Sequence, residues 1–482
     1  MASGLKTLLT AGMGAESAFG TGAAATQDLK LVSENILVSG ELKASDFLTG
    51  SRAKEYVGLG GITVGGSLVE QMRYLLTTDP AHVLLKQAFG SAYGHVYRNL
   101  TRESWVPHRQ GAADNIQLSI GVTPAVTASA GVRVRLYLKR TGAPSGNLAV
   151  EIQGDTAGDP DGTPIANGTS ANVAASSITT DSAGQWVEFT FASSPTLTAA
   201  TAYHCVLTGT YATSVTDYIS WAVEDVASSG VFEIKDAAWA NDTTKNGVAR
   251  ILTTSFTDSY IMADTIEGQS TTLAVDKTVS VHEWLGLKVK SLTLTSTPDG
   301  LLRAAYDLVG YDEDQSPTNT AAVIQGLRRV RVFPLHSDLV FWIGDQADVL
   351  ATGDLTKVDS WELKIERPLD ETMVSGQRQI LEPLESGMGT VSLTIKIPRY
   401  AADTFRAWQV AGTKLQARAH WTDATRYLTC LAPNAIIDGA VDVATGDQAA
   451  YSQSVTLTCF RNNGQNGLMQ VSDEAELNLL NV

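Results

Sequence analysis

Apolar and polar positions alternate in short runs along most of this chain, and one set of runs occurs twice in the same order. In the first copy a strand-like run, Leu29 to Val38 (LKLVSENILV), leads through a polar spacer around Tyr56 to a second extended run, Gly61 to Met72 (GITVGGSLVEQM). A short helix is predicted next. Asp79-Pro80 supply its N-cap and first-turn proline, Val83, Leu84, Leu85 and Ala88 its apolar face, and Gly90 its left-handed stop. In the second copy Ser360 to Leu369 (SWELKIERPL), the loop DETMVSGQRQILEPLESG, Met388 to Pro398 (MGTVSLTIKIP) and a helix through Phe405 and Trp408 to Gly412 follow in turn.

Each copy closes with two more alternating runs joined by a tight turn. The first is Leu285 to Tyr311, with Val289, Leu292 and Leu294 ahead of a Pro298-Asp299-Gly300 turn; the second is Ala435 to Phe460, with Thr445-Gly446-Asp447 in the equivalent place. The pattern predicts one mainly β domain type used twice, each copy packing a sheet against a short helix and a second sheet.

Between the two lies a segment of different composition, from about His108 to about Asn246. Charge thins out, Ala, Gly, Ser and Thr dominate, and short alternating runs (VRVRLYL from Val132, LAVEI from Leu148, WVEFTF from Trp186, YHCVL from Tyr203) are punctuated by turn clusters. Strands at this spacing predict an inserted all-β sandwich of the jelly-roll kind. The insert interrupts the first copy, which resumes at Ser255 to Ile261 (SFTDSYI). The expected division is therefore 1–107 and 249–335 for the first repeated domain, 108–248 for the insert, and 336–482 for the second repeated domain.

The opening Gly14-Ala15-Glu16-Ser17-Ala18-Phe19-Gly20-Thr21, the run to Ile36, and the Gly-rich GLGGITVGGSL before a helix resemble the major tail tube protein of long-tailed, siphovirus-type bacteriophages. The phrase RVRLYLKRTGAPSGNLAVEIQ is similar to carbohydrate-binding-like modules appended to phage and surface proteins. The first resemblance implies two tail-tube-type sandwich or barrel domains and a structural virion protein, assembled in the host cytoplasm and resident in the tail. It also implies partners: further copies of the chain, tail terminator, tape measure and baseplate proteins, and genomic DNA in passage. Tubes of this family are generally six-fold rings of single domains, so a chain with two copies should close a pseudo-hexameric ring as a trimer.

Charge fits that implication. With 35 basic against 51 acidic residues the formal net charge is -16, the opposite of what a protein gripping phosphate needs. A conduit wall that lets DNA slide should repel phosphate, so acidity suits passage, although for any single carboxylate solubility is sufficient reason. No apolar run reaches the roughly 20 residues that span a bilayer, and the N-terminus has no signal-peptide core, so no membrane anchor is expected.

Chemistry is sparse. Cys205, Cys430 and Cys459 sit singly in strand-like runs and read as buried small hydrophobes. The seven histidines show no metal-binding spacing, and no Walker loop or nucleophile elbow occurs. GLGGITVGG lacks phosphate-loop spacing and reads as flexible strand entry, and Asp155, Asp159 and Asp161 miss the register of a calcium loop and read as a solvated turn. No cofactor, metal or catalytic residue is expected.

Three functional classes are weighed: a self-assembling tube subunit, a host-surface adhesin binding glycan through the insert, and a polysaccharide depolymerase needing two positioned carboxylates. The duplicated flanks favour the tube, since an adhesin has no need of two such domains. Candidate contacts between stacked rings are the long spacers: Phe47, Leu48, Arg52 and Tyr56 in the first copy, Met373, Val374, Arg378 and Ile380 in the second. Trp221 and Trp239 are the candidate glycan-stacking residues of the insert.

Overall fold

The computed structural model describes residues 10–44, 57–75, 81–99, 102–111, 115–182, 184–227, 230–255, 257–262, 268–314, 317–327, 332–346, 350, 352–398, 403–423, 426–439, 443–444, 452–460 and 468–472. The chain divides into two compact units, Met1–Ala92 with Tyr260–Leu477, and Tyr93–Ser259 with Asn478–Val482. Antiparallel strands dominate both, as the alternating pattern predicts.

In the first unit eight strands form a continuous sheet: β1 (Leu37–Ala44), β2 (Val57–Gln71), β3 (Val281–Ser296), β4 (Arg303–Gly310), β5 (Ser360–Glu366), β6 (Thr390–Ile397), β7 (Tyr427–Asp438) and β8 (Ser452–Cys459). Their spatial order is β1-β2-β4-β3 followed by β5-β6-β8-β7, so the second half repeats the order of the first. In both halves the long strand β3 or β7 leaves this sheet and enters a second one. Leu287 stands opposite Thr271 and Ala435 opposite Leu415, and each pairing is followed by the same kind of register shift. The repeat is thus present in topology and in register.

The second sheets are also alike. In the first copy Thr10–Ala15 pairs with Thr271–Asp276, which pairs with the start of β3. In the second, Leu339–Asp345 pairs with Leu415–Thr422, which pairs with the start of β7. One continuous core runs through both copies, from Leu68, Leu85 and Trp284 to Trp361, Ile395 and Trp421.

Helix α1 (Val83–Phe89) buries Val83, Leu84, Leu85 and Ala88, and Gly90 ends it with φ 92°, as expected. Its N-cap is His82 rather than Asp79, whose position lies outside the described residues; the His82 ring accepts the Leu85 amide at 3.3 Å. Helix α2 (Ala321–Gly326) packs on Thr10–Ala15, and α3 (Thr404–Ala411) stops at Gly412, φ 63°, as expected.

The expected run Leu29 to Val38 is broken into the end of Gln27–Leu29, then Leu31–Glu34, then β1. The break occurs where the Asn35 amide donates to the Ser67 carbonyl and the Asn35 side chain accepts from the Ser67 amide. Gly66 faces this bulge with φ 150°, and a Cβ there would lie 2.5 Å from the Asn35 oxygen. Close backbone approach, rather than flexible entry, is what the GG pair provides. The Pro298-Asp299-Gly300 turn is present, with Asp299 at φ 57°, whereas Thr445-Gly446-Asp447 lies outside the described residues.

The second unit is a sandwich. One sheet runs Asp159–Thr169, Asn147–Thr156, Tyr203–Gly209, Gln117–Val122, Phe232–Lys235, Trp239–Asp242. The other joins Gln185–Thr190, Arg133–Thr141, Tyr218–Asp225 and Ser104–His108, with Ala249–Thr253 and the end of Gly90–Asn99 alongside. Ile120, Leu136, Val150, Phe189 and Trp221 fill the space between them. The unit exceeds the expected 108–248 at both ends. Its flanking strands carry Trp105, Arg98 and Arg250, so the composition shift that marked the border lies inside the unit.

All three cysteines are free and buried, and burial raises each thiol above its ordinary range, consistent with small core residues.

Candidate assembly interface

The joint between the two copies is a strand pairing within one chain. β3 of the first copy lies antiparallel to β5 of the second, with Leu292 opposite Ile365 and Ser296 opposite Trp361. Ile365 is 1% exposed as a result.

The loop after β5 then folds across the first copy. Arg367, buried, donates from Nε to the Ala88 carbonyl and from Nη2 to the Phe89 carbonyl, both at 2.7 Å, and its Nη1 pairs with Glu385. A guanidinium there occupies the negative end of α1 and satisfies its last carbonyls. Further along the loop Arg378 donates to the Gly60 carbonyl at 2.9 Å and accepts at its own carbonyl from Ile62. Ile380, 1% exposed, packs with Val309, Leu369 and Phe19.

Phe19 belongs to the opening motif, which the structure explains. The Glu16 carboxylate, largely buried, accepts from the Gly20 and Gly286 amides and the Ser270 and Thr272 hydroxyls. Four donors pin the N-terminal loop to the corner between the sheets and aim Phe19 edge-on at Tyr311. Glu16 and Phe19 were legible only through the resemblance, since nothing in their spacing announces this network.

The candidate stacking residues therefore separate. Ile380 is consumed by the contact of the chain with itself and is corrected from a ring-stacking residue to a core one. Arg378 is held by backbone of the first copy. Met373 and Val374, 43% and 37% exposed, keep accessible surface at the end of the same hairpin, where Met373 bridges Ile380. Phe47, Leu48, Arg52 and Tyr56 lie outside the described residues.

Register equivalence identifies the free ends of the eight-stranded sheet. Val38 stands in the first copy where Ile365 stands in the second: the row Val38, Val64, Gly310 corresponds to Ile365, Val391, Cys459. Among the described residues β1 pairs on one side only, with β2, and Leu37 and Val38 are 70% and 37% exposed. At the far end, Asp438 ends β7 and Val443–Ala444 continues its line against β8, where the first copy places the segment that receives β5. One end offers the surface that β5 buries within the chain, and the other offers the surface on which it is buried.

On the second unit, Trp221 is corrected from a glycan platform to a core residue. It is fully buried, edge-on to Phe232, and its indole N–H donates to the Val248 carbonyl. Trp239 is partly exposed on the edge strand, with Lys235 over its ring. The Asp155 to Gly162 segment is a hairpin turning at Ala157-Gly158, both with positive φ, and Asp155 is not simply solvated: it accepts from His204 Nε2 at 3.0 Å.

The family model described as Phage tail tube protein matches residues 9–459. No curated protein sequence matches the chain.

Proposed function

The chain belongs to the phage tail tube protein family, and on that premise we propose that three chains close a pseudo-hexameric ring by repeating between chains the joint that links the two copies within each. The observation carrying this reading is the β3·β5 pairing. A head-to-tail contact of one surface with a different surface closes a ring when its rotation divides a full turn, and a chain holding one such joint internally needs three external ones to make six. In the external joint the line of β7 and Val443–Ala444 receives the Glu34 to Ser39 edge of the next chain, covering Leu37 and Val38.

Rings so formed stack into the tail tube through the spacer tips, with Met373 and Val374 of the second copy and Phe47, Leu48, Arg52 and Tyr56 of the first as contact residues. The net charge of -16 makes the tube an electronegative conduit that DNA leaves without being gripped. Tail terminator, tape measure and baseplate proteins are the partners at its ends and in its lumen. Mass measurement on isolated rings, together with the symmetry of tube cross-sections in electron micrographs, tests the reading. Three chains per ring are expected; six chains per ring would overturn it.

A further inference from the structure

The two copies cover their helices differently. In the first copy α1 packs on β3 and is also met by β5 from the second copy, so that Val83, Leu84, Leu85, Gln87, Ala88 and Phe89 are all buried. In the second copy α3 packs on β7, the counterpart of β3, yet of its eight residues Phe405 alone is buried. Trp408 lies half-buried against the core, whereas Arg406, Ala407, Val410 and Ala411 are exposed, Val410 to 81%. Ala407, Val410 and Ala411 stand at i, i+3 and i+4 and therefore share one side of the helix. A helix that only faces water carries polar residues on that side; α3 carries an apolar second face with nothing of its own chain to cover it.

The place of that face in the fold points to its occupant. The Gln409 side chain donates to the carbonyl of Gly439, the residue after β7, and Val443–Ala444 then continues against β8. Helix α3 and the receiving end of the eight-stranded sheet thus form one continuous surface, as α1 and β3 do in the first copy. There the surface is completed within the chain: β5 pairs along β3, and the next residue, Arg367, reaches the Ala88 and Phe89 carbonyls at the end of α1. Helix α3, in contrast, has no basic residue in its last turn, so its negative end lacks the cation that α1 receives.

We propose that α3 is a second contact surface of the joint between chains: β1 of a second copy, on reaching the end of β7, covers Ala407, Val410 and Ala411 as β5 covers α1. This inference rests on the ring joint put forward above and extends it from the sheet edge to a helix. The occupant is another copy of the chain rather than a foreign protein because the chain holds the element that fits. β1 stands in the register of β5, and its Leu37 and Val38 are uncovered. One contact then accounts for both bare surfaces, the edge of β1 and the second face of α3.

Thiol labelling of the full chain tests the assignment. Cys205, Cys430 and Cys459 are buried, so a cysteine placed on either bare surface is the thiol that a maleimide reaches. Val410→Cys and, separately, Leu37→Cys should both label readily in dissociated chains and at least tenfold more slowly in isolated rings. Protection of Leu37→Cys without protection of Val410→Cys would overturn the α3 assignment and leave the sheet joint standing. Protection of neither would remove the joint and the assignment together. Protection of Val410→Cys alone, or its appearance only when rings stack into tubes, would give α3 a different occupant and equally overturn the proposal. As a second measurement, Val410→Glu should keep the circular dichroism of the parent and raise the concentration needed for ring formation at least tenfold; rings at the parent concentration would show that α3 stays bare.

Discussion

The ammonium of Lys288, on β3 of the first copy, has no exposed surface and lies 2.7 Å from Oε1 of Glu382, on the loop that follows β5 in the second. The Pro383 carbonyl accepts from the same nitrogen at 2.9 Å. The pair ties the copies together, and its two ends are unequal: the cation is sealed in, while the carboxylate is about one-third exposed.

That inequality sets a pH dependence. Burial raises the Glu382 pKa, but the hydrogen bonds from Lys288 and the Gly268 amide and the attraction of Lys288 outweigh it, leaving the carboxyl below its ordinary value of 4.5. A folded-state pKa depressed below the unfolded one gives stability that is fully present above 4.5 and is lost as pH falls through the lower, folded value. Glu382→Gln should therefore cost up to about 3 kcal/mol at pH 7, less than for a sealed pair because solvent reaches Glu382. Denaturant melts of both proteins should converge as pH falls below 4; a cost that persists unchanged at pH 3 would show that the ion pair is not its source.

The repeat, both helix stops and the first closing hairpin were legible because each is local: period-two alternation, a glycine at a left-handed stop, a Pro-Asp-Gly turn. The joint was not. Nothing in SWELKIERPL tells whether its edge pairs within the chain or with another, because pairing partners are set by tertiary context. The same limit applies to Ile380 and Trp221. An apolar residue in a long spacer and a tryptophan in an all-β module read alike whether they face a partner or a core, and only Phe19 and Phe232 beside them decide. The pairing of His204 with Asp155 and Glu233 is hidden for the same reason, since both carboxylates lie far from it in sequence.

Assembly should be separable from folding at the free edge. Leu37 is 70% exposed in the single chain, so Leu37→Lys should leave unfolding within about 0.5 kcal/mol of the parent. In the proposed joint it would remove about 2 kcal/mol of apolar burial and place a charge on a covered strand. Sedimentation velocity should find folded single chains at concentrations where the parent forms rings, with the assembly threshold raised at least tenfold. Unchanged ring formation would place the joint elsewhere.

In the second unit the His204 ring spans two acids, with Nδ1 3.0 Å from Glu233 and Nε2 3.0 Å from Asp155. Burial lowers its pKa, but hydrogen bonds and attraction from Glu233 and Asp155 together raise it above 6.5. Here the stabilisation is fully present below pH 6.5 and is lost as pH rises through the folded value. His204→Gln should destabilise the unit by about 3 kcal/mol at pH 6, since Glu233 is left buried without its cation. The difference in melting midpoint between the two proteins should shrink steadily from pH 6 to pH 9; a constant difference would mean that the ring acts as a neutral hydrogen-bonding group.

The two crossings between the units make a deletion practical. The Ser91 hydroxyl donates to the Ile261 carbonyl at 2.7 Å, so the chain leaves and re-enters the first unit at neighbouring points, and a few Gly and Ser residues can reconnect them. Both free edges of the eight-stranded sheet and the β3·β5 joint lie within the first unit. Removing Gly94 to Asp258 and linking Tyr93 to Ser259 should thus leave a folded protein that still forms tubes with the parent lumen and ring spacing, but with less mass per ring. The deletion must start there and not at the expected border, His108, because the strands through Trp105 and Arg250 belong to the excised sandwich and would otherwise expose its core. Electron microscopy of the shortened protein checks this. If it is folded by circular dichroism and yet makes no rings, the second unit takes part in closing the tube.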